Sequence, residues 1–453
     1  MDSGKHQKMG TVKKRLFQNA SWLFGGQTLA GGFSAIQTVI LARFLGVDNY
    51  GLLALIIAYV DVLNNFFDFR VWETATKYIG TFWTNGEREK TLSMIKLSYI
   101  IDIFSGVLAF IIAILTAKVA CSYLIHSPNA YTLIWIYSLS LVIDTANSTS
   151  DAILRVFDRF KRIAFVSSFI SLFKLILVVL FLYFGMGING VLLSFVLTSF
   201  LGFSIRMWIV SKTLGENQLM SWWKSDLRLV KDQWKGIAWF MGNTSFSGTL
   251  MIANENFMGV LFLGYFSGKE AAAYYKIAKS FVKLITRIRD PLYEAIYPEL
   301  VKIISSNTLR DFKKLLKYST KTLMKFTIPV AIIILIFSGT IISLIFGKEY
   351  LPASNTLRVI TLAIVITQLT FWINPALLAF GRPGLRTLVN TISTVTYIVL
   401  LFLFVPKFSY IGAGFAFLGF AIVRAVISFI SLKASIRMEK ERLLKARTSV
   451  PPV

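Results

Sequence analysis

Side chains suited to metal and redox chemistry are scarce in this sequence. Its 453 residues include one cysteine, Cys121, and two histidines, His6 and His126. A single cysteine cannot form an intramolecular disulfide or a Cys-rich metal site. Two histidines leave little scope for His-based acid–base chemistry. Gly-rich phosphate loops and ATPase motifs are also missing from the sequence. We therefore expect no metal, no cofactor and no enzymatic activity.

Long hydrophilic segments are scarce as well. Residues of the hydrophobic class make up 55% of the chain, and phenylalanine alone occurs 39 times. Many separate apolar runs of about 20 residues indicate a multi-pass α-helical membrane protein. The first 15 residues are polar and basic without a small-residue cleavage site, so we expect the first span to be retained. A membrane glycosyltransferase or polymerase normally carries a sizeable loop outside the membrane, and none is predicted here.

Acidic residues are the third scarcity, with 23 Asp and Glu against 48 Lys and Arg and a net charge of +25. Such a charge would suit a nucleic-acid-binding protein, but the basic residues lie between apolar spans. They are concentrated in alternate connecting segments, as the positive-inside rule describes. We therefore expect no nucleic-acid partner, and we expect both termini to be cytoplasmic.

Apolar runs and turn residues predict twelve spans, with Gly46, Gly185, Gly347, Gly381 and Pro406 among the turn residues. The predicted spans are 17–43, 51–70, 92–117, 130–154, 163–184, 188–212, 236–263, 271–297, 322–346, 355–379, 385–405 and 410–433. The fold class expected is an all-α membrane protein. The segments 221–235 and 309–323 have the pattern of amphipathic helices in the headgroup layer, or of solvated loops.

An internal repeat divides the chain into two halves. Phe44-Leu45-Gly46 recurs as 262–264 at an offset of 218, and Phe157-Asp158-Arg159 corresponds to 380–382 at an offset of 223. Because each half has six spans, an even number, the second half crosses the membrane with the same orientation as the first. The two halves would then form two lobes related by an axis normal to the membrane. The predicted domains are a six-helix lobe at 1–213, a cytoplasmic amphipathic linker at 214–235, and a second six-helix lobe with a basic tail at 236–453.

Predicted span 8 carries the most unusual charges. Lys276, Lys279, Lys283 and Arg287 follow helical spacing and fall on one face. Charges inside a membrane usually face a bundle interior or a water-filled cavity. This pattern favours a basic stripe that binds an anion, and the alternative is a surface helix with its lysines in water.

Polar residues recur in other spans. Span 2 carries Asp61, Asn64, Asn65 and Asp68 on one face, and span 4 carries Asp144, Asn147, Asp151 and Arg155. Others are Lys174 in span 5 and Asn254 and Glu255 in span 7. An ionised side chain at mid-membrane costs roughly 3 kcal/mol or more unless it is paired or hydrated. These residues predict a hydrated cavity between the lobes, except that Asp151 and Arg155, one turn apart, favour a structural salt bridge.

Three motifs resemble the polysaccharide-transporter family of O-antigen and exopolysaccharide flippases, which belongs to the multidrug/oligosaccharidyl-lipid/polysaccharide (MOP) exporter superfamily. They are the stretch 42–46 (ARFLG) followed by Tyr50-Gly51, the stretch 380–383 (FGRP), and the stretch 268–275 (GKEAAAYY). The resemblance covers the whole chain. It implies a MATE-like fold of two six-helix lobes around a central cavity, in a bacterial cytoplasmic membrane.

The resemblance also implies a function, which is to flip an undecaprenyl-diphosphate-linked oligosaccharide by alternating access. The expected partners are that glycan, membrane lipids and other membrane proteins of glycan assembly. We expect Lys276, Lys279, Lys283, Arg287, Lys174, Asn65, Asp144 and Asn254 to bind substrate, and Asp61, Asp68 and Glu255 to couple transport to H⁺ or Na⁺. Two alternatives are a multidrug or cation antiporter of the same superfamily and a non-transporting subunit of a glycan-assembly complex.

Overall fold

The computed structural model describes residues 3–252, 257–286, 289–305 and 309–448, and these are almost entirely helical. The helices are α1 (Ser3–Phe67), α2 (Val71–Thr84), α3 (Arg88–Ala120), α4 (Tyr131–Val156), α5 (Phe160–Tyr183), α6 (Gly187–Glu216), α7 (Trp234–Ile252), α8 (Met258–Thr286), α9 (Asp290–Ser305), α10 (Leu309–Ile345), α11 (Ala353–Leu369), α12 (Ile373–Ala379) and α13 (Pro383–Thr448). The all-α fold class predicted from sequence is confirmed.

Among the described helices, α1 and α13 are long enough to contain two spans each. Among the described residues, seven helical stretches are long and apolar enough to cross a membrane, and two of them have 64 and 60 residues. At 1.5 Å per residue, each of these two is roughly three times as long as the ~30 Å hydrocarbon layer is thick. Non-helical dihedral angles interrupt them at Gly46 and Ser409. These breaks lie between predicted spans 1 and 2 and between spans 11 and 12, consistent with twelve spans.

Other predicted boundaries were wrong. Predicted span 8 was one helix over 271–297, but α8 ends at Thr286 and a separate helix begins at Asp290. Predicted span 10 is divided into α11 and α12 by a turn at 370–372. The segment 221–235 forms short 3₁₀ helices at 222–224 and 227–233 rather than an amphipathic α-helix. The segment 309–323 is the continuous beginning of α10.

One helix was missed because it follows a span directly. Helix α2 buries Val71, Ala75, Ile79 and Phe82, which recur at helical spacing. They belong to a hydrophobic cluster shared with α3, α4 and α6. Because this face packs on the neighbouring helices, the stretch after predicted span 2 is helical rather than a loop.

The chain divides into two compact units. The first comprises residues 1–46, 56–123 and 127–249, and the second comprises 47–55, 124–126 and 250–453. Within the second unit, Gly51 lies so close to the 268–270 segment that a Cβ atom would come 2.0 Å from the Lys269 carbonyl oxygen. Lys269 also forms a 3.4 Å ion pair with Asp48. The short 47–55 segment is therefore an integral part of the second unit.

The repeat is visible in the backbone. Asp158, two residues after the end of α4, has φ 56°, and Gly381, two residues after the end of α12, has φ 70°. Asp158 N–H donates to the Arg155 carbonyl and Arg159 N–H to that of Leu154. Gly381 and Arg382 make the corresponding bonds to the carbonyls of 378 and 377. Both helices end in the same left-handed cap, at equivalent positions of the repeat.

We expect Gly381→Ala to destabilise the protein by about 1 kcal/mol, because a Cβ atom is strained at positive φ. The space around the added methyl group is open, so strain alone is tested. Thermal unfolding of the purified protein measures the effect. Gly384→Ala is the matched control, since its Cβ is also unobstructed and its φ is not positive. Equal midpoints for the two variants would contradict the expectation.

Candidate functional site

Two predicted carboxylates of the first unit accept hydrogen bonds from neighbouring helices or turns. Tyr137 on α4 donates its hydroxyl to Asp61 Oδ1 on α1 over 3.3 Å. Asp144 on α4 accepts at Oδ2 from the Ser199 hydroxyl on α6 over 3.1 Å. It also accepts at Oδ1 from the Asn147 amide over 3.3 Å. Asp144 is nevertheless exposed, so its carboxylate remains accessible to a ligand.

Lys174 on α5 joins the same neighbourhood. Its ammonium nitrogen lies 3.6 Å from the centre of the Phe195 ring, in cation–π geometry. The Phe195 ring also meets the Tyr137 ring at 6.0 Å between centres, and Tyr137 is the donor to Asp61. Asp144 is hydrogen-bonded to Ser199, which lies one turn after Phe195 on α6. The structure therefore brings Asp61, Asp144 and Lys174 together as a mixed-charge cluster within the first unit.

Asn65 and Asp68 make local contacts. The Asn65 side-chain amide donates to the Asp61 backbone carbonyl over 2.7 Å, inside its own helix. Asp68 follows the end of α1 and accepts from the Arg70 N–H over 2.8 Å. Arg70 has φ 46°, and such a bond two residues along the chain stabilises a turn. These bonds hold the helix end, and the roles expected for the two side chains stay predictions.

Asp102 on α3 is a buried carboxylate that sequence reasoning missed. Its side chain is 1% exposed. Its Oδ2 accepts from the Thr149 N–H over 3.0 Å and from the Thr149 hydroxyl over 2.5 Å. The signal available was a single acidic residue in the apolar run 100–104. Asp102 therefore links α3 to α4 through Thr149.

The predicted salt bridge between Asp151 and Arg155 was wrong, because Asp151 has a different partner. Asp151 instead pairs with Arg206 on α6, with 3.0 Å between Oδ1 and Nε. Arg155 lies over the Trp72 ring at 5.4 Å. The Asp151–Arg206 pair therefore connects α4 to α6 and stabilises the packing of these two helices, instead of connecting two turns of α4.

The basic stripe includes one lysine in the packed interior of the second unit. Lys279 on α8 is 7% exposed, and its ammonium nitrogen lies 3.4 Å from the centre of the Phe417 ring on α13. Lys276 is half-buried and Lys283 is exposed. Along α8 the three lysines are thus half-buried, buried and exposed in turn, so the change to an accessible position lies between Lys279 and Lys283.

Three predicted residues, Arg287, Asn254 and Glu255, lie outside the described residues, and their roles stay predictions. Within the described ranges, no group of three or more His, Cys, Asp or Glu side chains is arranged to hold a metal ion.

Comparison with solved structures defines the class of fold. An inward-facing MATE-family multidrug transporter of the MOP superfamily superposes with a TM-score of 0.75 at 15% identity, covering 92% of this chain and 99% of that one. The lipid II flippase MurJ superposes with a TM-score of 0.71 at 18% identity, covering 95% and 93%. The chain therefore has the MOP transporter fold.

A family model described as polysaccharide biosynthesis protein matches residues 40–355, and the chain belongs to that family. The inner membrane protein YghQ of Escherichia coli (strain K12) is 24% identical over 354 residues, which cover 77% of this chain and 97% of YghQ. The probable low-salt glycan biosynthesis flippase Agl15 of Haloferax volcanii is 25% identical over 184 residues, 39% of each chain. The resemblance read from the sequence is confirmed, and proteins named as transporters and flippases agree with the expectation of a non-enzymatic role.

Proposed function

We propose that this protein flips a polyprenyl-diphosphate-linked oligosaccharide, an O-antigen or exopolysaccharide repeat unit, across a bacterial cytoplasmic membrane by alternating access. The observation that carries the proposal is the buried cation Lys279, within predicted span 8 of a polysaccharide-biosynthesis family member. A diphosphate attracts lysine and arginine strongly where the dielectric constant is low. The likeness to a glycan flippase and to the lipid II flippase supports this class of substrate.

Each part of such a substrate has a counterpart in the chain. The diphosphate suits Lys276, Lys279, Lys283 and Arg287, and the exposed end of the stripe at Lys283 offers an entry to the buried Lys279. The glycan hydroxyls suit the amide and carboxylate oxygens of Asn65, Asp144 and Asn254, with Lys174 completing a polar surface. The lipid tail remains in the bilayer, where it needs no polar partner.

A flipping assay tests the proposal. Proteoliposomes containing the purified protein and a fluorescent undecaprenyl-diphosphate oligosaccharide should expose the label to an external glycosidase faster than empty vesicles do. In a strain lacking its own flippase, the gene should restore surface glycan and remove the lipid-linked species that accumulates inside. Absence of both effects, with the protein correctly inserted, would contradict the proposal.

The alternative of an organic-cation antiporter draws support from the MATE fold and from the carboxylates Asp61 and Asp144. A cation pump needs an acidic and aromatic cavity, whereas Lys174 and Lys279 place positive charges among the predicted site residues. Efflux of ethidium from the same proteoliposomes distinguishes the two functions. Ethidium transport without glycan flipping would favour the antiporter.

Energy coupling is part of the proposal. The sequence lacks an ATPase motif, so uphill transport draws on a gradient of H⁺ or Na⁺ acting through Asp61, Asp68 or Glu255. Imposing a pH or a sodium gradient on the proteoliposomes should change the flipping rate for one of the two ions.

We expect both termini to be cytoplasmic, because the basic connecting segments alternate with weakly charged ones along the whole chain. Reporter fusions after Gly215 should show cytoplasmic activity, and fusions after Lys269 or Lys348 should show extracytoplasmic activity. An inverted result at Gly215 would require an odd number of spans before it, and an inverted result at Lys269 or Lys348 an even number.

A further inference from the structure

A groove of about 1000 Å³ lies in the second unit between α10, the end of α11, and α13. Its apolar end includes Leu369, Trp372 and Phe429, which belong to predicted spans 10 and 12. The Trp372 ring meets the Phe429 ring edge-on at 5.9 Å between centres, and its indole N–H donates to the Thr320 hydroxyl. Phe429 is 45% exposed, so this apolar floor is open to the surroundings.

The other end of the groove is strongly basic. Lys313, Lys317 and Lys321 recur every fourth residue on α10, and Lys433, Arg437 and Lys440 follow helical spacing on α13. The two stripes face the same groove, and the α10 stripe is about 12 Å long. Glu441 is the only acidic side chain among the described residues that line the groove, and it pairs with Arg437 over 3.0 Å. A large positive excess therefore remains.

The order of these two ends matches a lipid at a membrane surface. Lys313–Lys321 precede predicted span 9, Lys433 is the final residue of the last predicted span, and Arg437 and Lys440 follow it, so the cations lie at headgroup depth. The aromatic and aliphatic floor lies deeper, inside the spans. Basic pockets between spanning helices at the cytoplasmic side bind phosphate-bearing lipid headgroups. Anionic phospholipids are the abundant lipids of that chemistry in a cytoplasmic leaflet.

We propose that this groove binds an anionic phospholipid, with the phosphate between the α10 and α13 lysines and an acyl chain against Trp372 and Phe429. The site lies wholly within the second unit and uses none of the residues assigned above to glycan or ion binding. Its occupancy would link α10 to α13 across the groove and make the protein dependent on the lipid composition of its membrane.

Thermal unfolding of the full-length protein in nanodiscs tests the site. Discs containing phosphatidylglycerol should raise the unfolding midpoint by about 3 °C or more over discs of phosphatidylcholine alone. The double variant Lys317→Gln/Lys433→Gln should lose most of that difference. Lys302→Gln/Lys314→Gln is the matched control, because it removes the same charge from exposed lysines of the same unit that do not line the groove.

The proposal is overturned if the groove variant keeps the full phosphatidylglycerol effect, or if the control loses it equally. Two further probes identify other occupants. A shift with inorganic phosphate equal to that with phosphatidylglycerol would indicate a free-anion site, and a shift with undecaprenyl phosphate alone would indicate a site for the carrier lipid. Lys313→Gln/Lys440→Gln gives the same comparison if the first groove variant does not fold.

Discussion

Replacing Lys279 with methionine is expected to lower glycan export at least about tenfold at unchanged protein level. Methionine keeps an unbranched stem against Phe417 and removes the charge, so the packing of α8 on α13 should survive. A charge-assisted bond between an ammonium group and a diphosphate contributes roughly 1.5–3 kcal/mol, and its loss corresponds to about 10- to 100-fold in rate or affinity. Surface glycan in a flippase-deficient strain, normalised to membrane-inserted protein, measures the effect.

The matched variants separate charge from structure. Lys279→Arg should retain part of the activity, because the positive charge remains while the guanidinium shape differs. Lys283→Ala should also lower export severely, since Lys283 is the accessible end of the same stripe. Lys314→Ala removes an exposed lysine paired with Asp311 and should change export little. Export at wild-type levels by both the Lys279 and the Lys283 variants would show that the stripe is structural.

Most of the architecture follows from local signals. Spans 3 to 6 were predicted to within about four residues because apolar runs and the turn residues Pro128 and Gly185 mark their ends. The end of α8 at Thr286 was not predicted, because the spacing of Lys276, Lys279, Lys283 and Arg287 was read as one continuous helix face, although Pro291 follows shortly after. Gly51 was taken as a simple helix start, whereas its lack of a side chain allows the close approach of the Lys269 carbonyl. Contacts between distant segments leave no local pattern.

The sequence predicted which charged residues belong to the candidate site better than it predicted which residues pair with each other. Isolated charges in apolar spans predicted Asp61, Asp144 and Lys174 as site residues, and the structure places these three side chains in one neighbourhood, while their roles stay predictions. The i, i+4 rule suggested Arg155 for Asp151, but a helix-to-helix contact supplied Arg206. The lipid groove could not be predicted at all, because it requires α10 and α13 to be neighbours, and their basic stripes are more than a hundred residues apart.

Asp102→Ala is expected to destabilise the first unit by about 2–4 kcal/mol. The variant removes the acceptor of two hydrogen bonds from Thr149, and each buried donor left unsatisfied costs about 1–3 kcal/mol. Water cannot easily compensate, because α3 and α4 approach closely: a Cβ atom on Gly106 would lie 2.4 Å from the Thr145 hydroxyl oxygen. The unfolding midpoint of the purified protein and its level in the membrane report the loss.

Asp102→Asn distinguishes a structural role of Asp102, in which it links α3 to α4, from a role in ion coupling. Asparagine keeps one oxygen at the same distance from Thr149, so it should preserve most of the stability and nearly all of the export activity. A group that carried the coupling proton would instead lose export on conversion to the amide, with stability maintained. Because both hydrogen bonds from Thr149 run to one oxygen of Asp102, we expect the amide to replace the carboxyl group. Loss of export by a stably folded Asp102→Asn protein would place Asp102 among the coupling residues instead.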